Sequence, residues 1–136
     1  YFPLNYSYIK KGIEQYNLDN IIFYEPNEDN LRALFYKINL YNESLGADYF
    51  KYAIMQCYNN PKLINSLKSI FYLVSEEFNV SFGSIRPAMR NALKSVNHFR
   101  ISSNNKGIFK LFENEDFITP KNFIRNITKH YLKQKK

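Results

Sequence analysis

The chain has 136 residues, of which 45% are hydrophobic and 23% are charged, and its formal net charge is +7. This length and composition indicate one folded soluble domain. Only four glycines are present, which argues against a turn-rich β-sandwich and favours helices. The single cysteine, Cys57, excludes an intrachain disulfide and a cysteine-based zinc site. No apolar run is long enough to cross a bilayer, so we expect a cytoplasmic protein without a membrane partner.

The charge is unevenly distributed along the chain. Residues 1–28 contain two lysines and four acidic residues, whereas the remainder contains 17 basic and 8 acidic residues. We therefore expect residues 1–28 to be a leader or the end of a preceding segment, and residues 29–136 to be a basic domain with an anionic partner. Because the sequence begins with Tyr1, we expect it to be part of a longer protein.

Three helices are predicted in the first half of the domain, from apolar residues that recur at helical spacing. Asp29 or Asn30 is expected to cap the first, whose apolar face comprises Leu31, Leu34, Phe35, Ile38 and Tyr41. The second should start near Asp48 and bury Tyr49, Phe50, Ala53, Ile54 and Cys57, which makes Cys57 a structural thiol. The third should start at Pro61, with Asn60 as its cap, and bury Leu67, Ile70, Phe71, Val74 and Phe78.

The second half predicts two more helices. After a tight turn at residues 79–81, one helix presents an apolar face of Ile85, Ala88, Met89, Ala92, Leu93 and Val96. A polar loop and a short extended segment with Phe109, Leu111 and Phe112 follow. Thr119 is then expected to cap a last helix that buries Phe123, Ile124, Ile127 and Tyr131. The predicted fold is an all-α domain of five or six helices that contains a helix-turn-helix.

Catalytic chemistry has little support in the sequence. Neither His98 nor His130 has a second histidine or a carboxylate at i+3 or i+4, so a helical metal pair is missing. Glu76 and Glu77 are neighbours in sequence and point apart on a helix. There is also no glycine-rich phosphate loop. We therefore expect a protein that is not an enzyme and has no metal, cofactor or small-molecule substrate.

The strongest functional signal is the stretch from Phe78 to Phe112, which contains no Asp and no Glu. Arg86, Arg90 and Lys94 are spaced at i, i+4 and i+8, so they share one stripe of the predicted helix. A basic helix that packs on a second helix through a short turn fits a DNA major groove. The alternative is that the basic stripe only keeps the protein soluble. Arg86 and Arg90 are candidates for base edges, because arginine suits guanine. Candidates for phosphates are Ser81, Ser84, Lys94, Arg100 and Lys106.

The segment FYLVSEEFNVSFGSIRPAMRNALKSV (71–96) resembles the C-terminal DNA-binding domain of the sporulation stage-zero response regulators of Firmicutes. LGADYFKYAI (45–54) and ITPKNFIRNI (118–127) resemble the second and last helices of that family. The resemblance implies an all-helical transcription regulator that binds duplex DNA through a helix-turn-helix, as a homodimer or as tandem domains. Residues 1–28 do not resemble the receiver domain that precedes this family's DNA-binding domain.

The predicted recognition helix departs from the family at several positions. The family has basic residues at the positions of Ser84, Pro87 and Arg90, and an acid at the position of Arg86. In a helix capped by Ser81, Pro87 would clash with the carbonyl of Gly83, at a cost of about 3 kcal/mol. We therefore expect the helix to begin near Ser84 or to kink there, and DNA binding to be weakly sequence-specific. The alternative is a protein-interaction module that has kept the fold and lost DNA reading.

Overall fold

The computed structural model describes residues 25–103 and 107–134, and these ranges contain helices and no strand. The predicted all-α class is therefore confirmed. Residues 109–112, predicted to be extended, lie instead in a 3₁₀ turn. The five described α-helices are α1 (Glu28–Lys37), α2 (Leu45–Asn59), α3 (Leu67–Phe78), α4 (Ile85–Ser103) and α5 (Pro120–Gln134). The 3₁₀ turns are Pro61–Asn65, Phe82–Ser84 and Gly107–Phe112. Most of the predicted leader, residues 1–24, lies outside the described residues.

Helix α1 begins earlier than predicted, because Asn27 is its cap rather than Asp29 or Asn30. The Asn27 side chain accepts a hydrogen bond from the Asn30 N–H at 2.9 Å, and the Asn30 side chain accepts one from the Asn27 N–H at 3.1 Å. This reciprocal capping box satisfies two donors at once, which a cap at Asp29 does not offer. At the other end, Asn39 is left-handed (φ 68°), so the helix stops before Tyr41 and leaves that ring exposed.

Two further helix starts differ from the sequence prediction. Ser44 caps α2 by accepting from the Ala47 N–H at 3.1 Å, so α2 starts at Leu45 rather than near Asp48. Asn60 makes no side-chain cap, and Pro61 starts only a 3₁₀ turn. Ser66 instead caps α3 through the Ser69 N–H. In both cases a serine hydroxyl supplies the acceptor that fixes the helix start. The Thr119 cap of α5 is confirmed, since Thr119 accepts from the Asn122 N–H at 3.2 Å.

Helix α2 lies at the centre of the core and packs against both α4 and α5. The core contains a cluster of aromatic rings around Phe123, whose ring lies 4.6 Å from Phe50, 5.8 Å from Phe35 and 6.2 Å from Phe112, measured between ring centroids. Cys57 is fully buried, and this burial raises the pKa of its thiol to about 12. The prediction that Cys57 is buried is therefore confirmed.

A buried lysine joins α1 to α2. Lys51 is 3% exposed, and its Nζ lies 2.8 Å from a carboxylate oxygen of Glu28 and 3.7 Å from one of Asp48. The hydrogen bond from Lys51 lowers the pKa of the Glu28 carboxyl. Glu28 therefore places a negative charge in the first turn of α1 and also pairs with the buried ammonium group of Lys51.

The contact between α2 and α4 involves main-chain atoms at Gly46. A Cβ at Gly46 would lie 2.4 Å from the carbonyl oxygen of Ala88 and 2.7 Å from the Cβ of Ala92. Since no rotamer can relieve a clash with main-chain atoms, α2 and α4 would have to separate.

We expect Gly46→Ala to lower the free energy of unfolding by about 2–3 kcal/mol, as overpacking of a core does. Urea denaturation followed by circular dichroism measures this change. Gly83→Ala is the matched control, because nothing lies within 4 Å of a Cβ at Gly83. It should change the stability by less than about 0.5 kcal/mol. Equal losses in the two variants would contradict the proposed close contact.

Candidate nucleic-acid interface

Helices α3 and α4 are joined by a short connection, residues 79–84. Asn79 ends α3 in a left-handed conformation (φ 53°), and the Ser75 hydroxyl donates to the carbonyl of Val80 at 2.7 Å. The carbonyl of Ser81 accepts from both the N–H and the hydroxyl of Ser84, at 3.1 and 2.7 Å. These local bonds close the 3₁₀ turn Phe82–Ser84, from which α4 continues directly.

The position of Pro87 explains where α4 begins. The helix starts at Ile85, so Pro87 is its third residue, where a missing N–H breaks no intrahelical bond. The prediction that Pro87 limits this helix to a start near Ser84 is confirmed. Pro87 has no N–H to donate to a Ser84 cap, and the Ser84 hydroxyl donates to the Ser81 carbonyl.

The predicted apolar and basic faces of α4 separate clearly. The apolar face is buried except for Ala88, which is half-buried. Arg86, Arg90 and Lys94, which we call the α4 cationic stripe, are all exposed. None of the three forms an ion pair with a residue in the described ranges. Their charges are therefore available to an anionic partner.

Arg86 is held at the start of α4 by an aromatic ring. Its guanidinium carbon lies 5.4 Å from the centroid of Phe71 on α3, at the distance of a cation–π contact. The Phe82 ring meets Phe71 edge-on at 5.9 Å. Sequence reasoning placed Phe71 in the core and missed its contact with Arg86, since the two residues lie on different helices.

The structure contradicts the prediction that Arg100 contacts a phosphate. It is 8% exposed, and its Nη2 donates to the carbonyl oxygens of Phe112 and, at 2.6 Å, Glu115. A buried guanidinium that is used in this way cannot contact DNA, so that prediction was wrong. Helical spacing gives the reason, because Arg100 lies four residues after buried Val96 and not on the i, i+4, i+8 row of the cationic stripe.

Asn97 holds the same loop and was also missed. Its side chain accepts from the N–H of Ile118 at 2.8 Å and donates to the carbonyl of Ile118 at 3.0 Å. Asn97 and Arg100 together attach residues 112–118 to α4, and we call this pair the α4 clamp. Helix α4 therefore carries exposed cations in its first half. Near its end it carries two polar side chains that hold residues 112–118 in place.

The remaining predicted phosphate contacts lie near the start of α4 or outside the described residues. Ser81 and Ser84 are exposed beside Arg86, although the Ser84 hydroxyl is already engaged with the Ser81 carbonyl. Lys106 lies outside the described residues. The candidate interface therefore comprises the two serines and the α4 cationic stripe.

A separate apolar surface surrounds the loop before α2. Tyr36, Tyr41 and Leu45, which we call the 36–45 surface, are 71%, 67% and 65% exposed. Two adjoining grooves, of about 700 and 290 Å³, share Tyr41 and Ser95 of α4. Large apolar side chains that stay this exposed are typical of interaction surfaces when they are contiguous.

Within residues 25–103 and 107–134, no helix combines the length and the apolar character needed to cross a bilayer. Comparison with known protein families, with curated proteins and with solved structures gives no match for this chain.

Proposed function

We propose that this chain binds duplex DNA through a helix-turn-helix formed by α3, the connection 79–84 and α4. In this proposal it is a cytoplasmic, nucleoid-associated transcription regulator of a sporulating Firmicute and binds as a homodimer or as tandem domains. The α4 cationic stripe is the observation that supports it: three exposed cations share one row of a helix without a carboxylate partner in the described residues. Phosphate neutralisation by such cations supplies most of the affinity of non-specific DNA binding.

The residues of the interface have different roles in this proposal. Arg90 forms no ion pair with any residue that the structure describes, so it is free to reach a base edge. Arg86 is pre-positioned by Phe71, which reduces the entropy that its ordering on DNA would cost. Lys94 and Ser81 are assigned to phosphates, which fix orientation without reading sequence, and Ser84 would join them by turning its hydroxyl away from the Ser81 carbonyl. Exposed Pro87 has no hydrogen-bonding group on its side chain, so we expect weak sequence specificity.

The proposal is tested by the salt dependence of binding to a duplex of random sequence. If all five predicted cations contacted phosphates, the slope of log affinity against log salt would be about −4 to −5. These five are Arg86, Arg90, Lys94, Arg100 and Lys106. Arg100 is buried, and on a duplex of random sequence we expect the remaining cations, Arg86, Arg90, Lys94 and Lys106, all to contact phosphates, which gives a slope of about −3 to −4. Fluorescence anisotropy of a labelled duplex between about 50 and 200 mM salt measures it. A duplex that is not bound by micromolar protein at the lower salt would overturn the proposal.

The second candidate is a protein-interaction module, which the 36–45 surface favours. An exposed aromatic patch within residues 1–28 would also favour it, but residues 1–24 lie outside the described residues. In this candidate the cationic stripe is only a solvated face, and the apolar grooves beside Tyr41 carry the function. Duplex binding distinguishes the two candidates: binding that Tyr41→Ser leaves unchanged supports DNA as the partner, whereas absence of duplex binding favours the interaction module.

A further inference from the structure

A groove separate from the α4 cationic stripe lies between the end of α2, the Pro61–Asn65 turn and α3. Its volume is about 530 Å³, within the range of about 300–1,000 Å³ that is common for ligand pockets. We call it the Tyr72 groove. It is lined by Gln56, Asn59, Asn60, Leu63, Lys68, Ser69, Tyr72, Leu73 and Phe82.

The chemistry of the lining is unusual for an exposed groove. Tyr72 and Phe82 are 61% and 44% exposed, so both rings retain a free face. Leu63 and Leu73 are half-buried and supply apolar surface, and no carboxylate of the described residues lines the groove. The amides belong to Gln56, Asn59 and Asn60. Aromatic faces next to amide donors and acceptors are the groups that stack on an unpaired base and bond to its edge.

The charges around the groove are arranged along α3. Lys68, Tyr72 and Glu76 follow one another at i, i+4 and i+8, so they form one row with a cation and an anion on either side of the ring. A phosphate would be attracted to the Lys68 end, which is also the positive end of the helix dipole. A base stacked on Tyr72 would therefore have its backbone towards Lys68 and away from Glu76.

Contacts between rings connect the groove to the candidate duplex interface. Phe82 lines the groove and packs on Phe71, and Phe71 in turn contacts Arg86. A nucleic-acid strand whose base entered the groove would pass close to Arg86, a second cation besides Lys68. The bases of an intact duplex are stacked inside the helix, so a concave site of this kind suits a base that is already unpaired.

We propose that the Tyr72 groove binds an unpaired nucleobase of a single-stranded nucleic acid, with the adjoining phosphate at Lys68. The base stacks on Tyr72 and Phe82, and the amides of Gln56, Asn59 and Asn60 bond to its edge. This activity goes beyond duplex binding and does not depend on it.

The test uses single-stranded octamers of DNA and of RNA that contain one 2-aminopurine, whose fluorescence responds to stacking. We expect binding by the wild-type chain at micromolar protein, with a change in 2-aminopurine emission. Tyr72→Ala should weaken binding by about 5- to 150-fold, the range for loss of one base–aromatic stack, and Tyr72→Phe should retain it. Lys68→Ala should weaken binding and reduce the salt slope by about one.

Phe117→Ala is the matched control, because Phe117 is a similarly exposed aromatic residue that lies outside the groove. It should leave binding unchanged. Absence of octamer binding, or equal losses in Tyr72→Ala and Phe117→Ala, would overturn the inference. Octamer binding that is lost on mutation of Arg90 but not of Tyr72 would also overturn it, while leaving duplex binding as the proposed function. Tighter binding of the DNA or of the RNA octamer identifies the source of the base.

Discussion

Replacing Arg86, Arg90 and Lys94 together by alanine is expected to weaken duplex binding by at least about 100-fold, because the contacts that neutralise phosphates and reach base edges are removed together. The three side chains are exposed, so the fold should be retained. Anisotropy of a labelled random duplex measures the affinity, and circular dichroism confirms that the variant is helical. The slope of log affinity against log salt should fall to about −1 in the same variant, because Lys106 remains.

A matched control removes the same charge from another helix. Lys121, Lys129 and Lys133 are exposed on α5, and their replacement by alanine should weaken binding by less than about tenfold. Arg125 on the same face is retained, since it pairs with Glu115 at 3.5 Å. In single variants, Arg90→Ala should lose more affinity than Lys129→Ala. Equal losses would leave DNA binding in place but would assign it to a different surface.

Arg100→Met is expected to lower the free energy of unfolding by about 3–6 kcal/mol, since two hydrogen bonds from a charged group are lost and each contributes about 1.5–3 kcal/mol. The carbonyls of Phe112 and Glu115 lose their donor, while methionine keeps most of the apolar stem. Urea denaturation measures the stability. Duplex affinity, measured where the variant is still folded, should be unchanged.

Lys94→Met is the control for Arg100→Met, because Lys94 is exposed on the same helix. It should change stability by less than about 0.5 kcal/mol and should weaken duplex binding. The opposite pattern, with stability lost only in Lys94→Met and affinity lost only in Arg100→Met, would restore Arg100 as a phosphate contact.

The sequence predicted the helical core well because burial follows the 3.6-residue period directly. Ile85, Met89 and Leu93 on α4, and Phe123 and Ile127 on α5, are buried as predicted. Helix starts were less predictable, because several residues near each start offer a side-chain acceptor. A cap contributes only about 1 kcal/mol, so tertiary packing decides among neighbouring candidates.

The candidate site was predictable where it depends on one helix and not where it depends on two. The stripe of Arg86, Arg90 and Lys94 follows from spacing alone. Arg100 was assigned from its place in a basic stretch of sequence, whereas its place on the helix puts it beside buried Val96. The contact of Asn97 with Ile118 joins α4 to a loop 21 residues further along the chain, and no local pattern indicates it.

The close approach at Gly46 has a consequence for how this domain can diversify. The carbonyl of Ala88 rests against Gly46, so main-chain atoms set the distance between α4 and the centre of the core. The atoms that meet a Cβ at Gly46 belong to Ala88 and Ala92 and not to the exposed side chains of Arg90 and Lys94. Substitutions of Arg90 and Lys94 can therefore accumulate without moving the helix. A lineage could exchange one target for another through these surface residues, and a protein engineer could use the same freedom to select new ones.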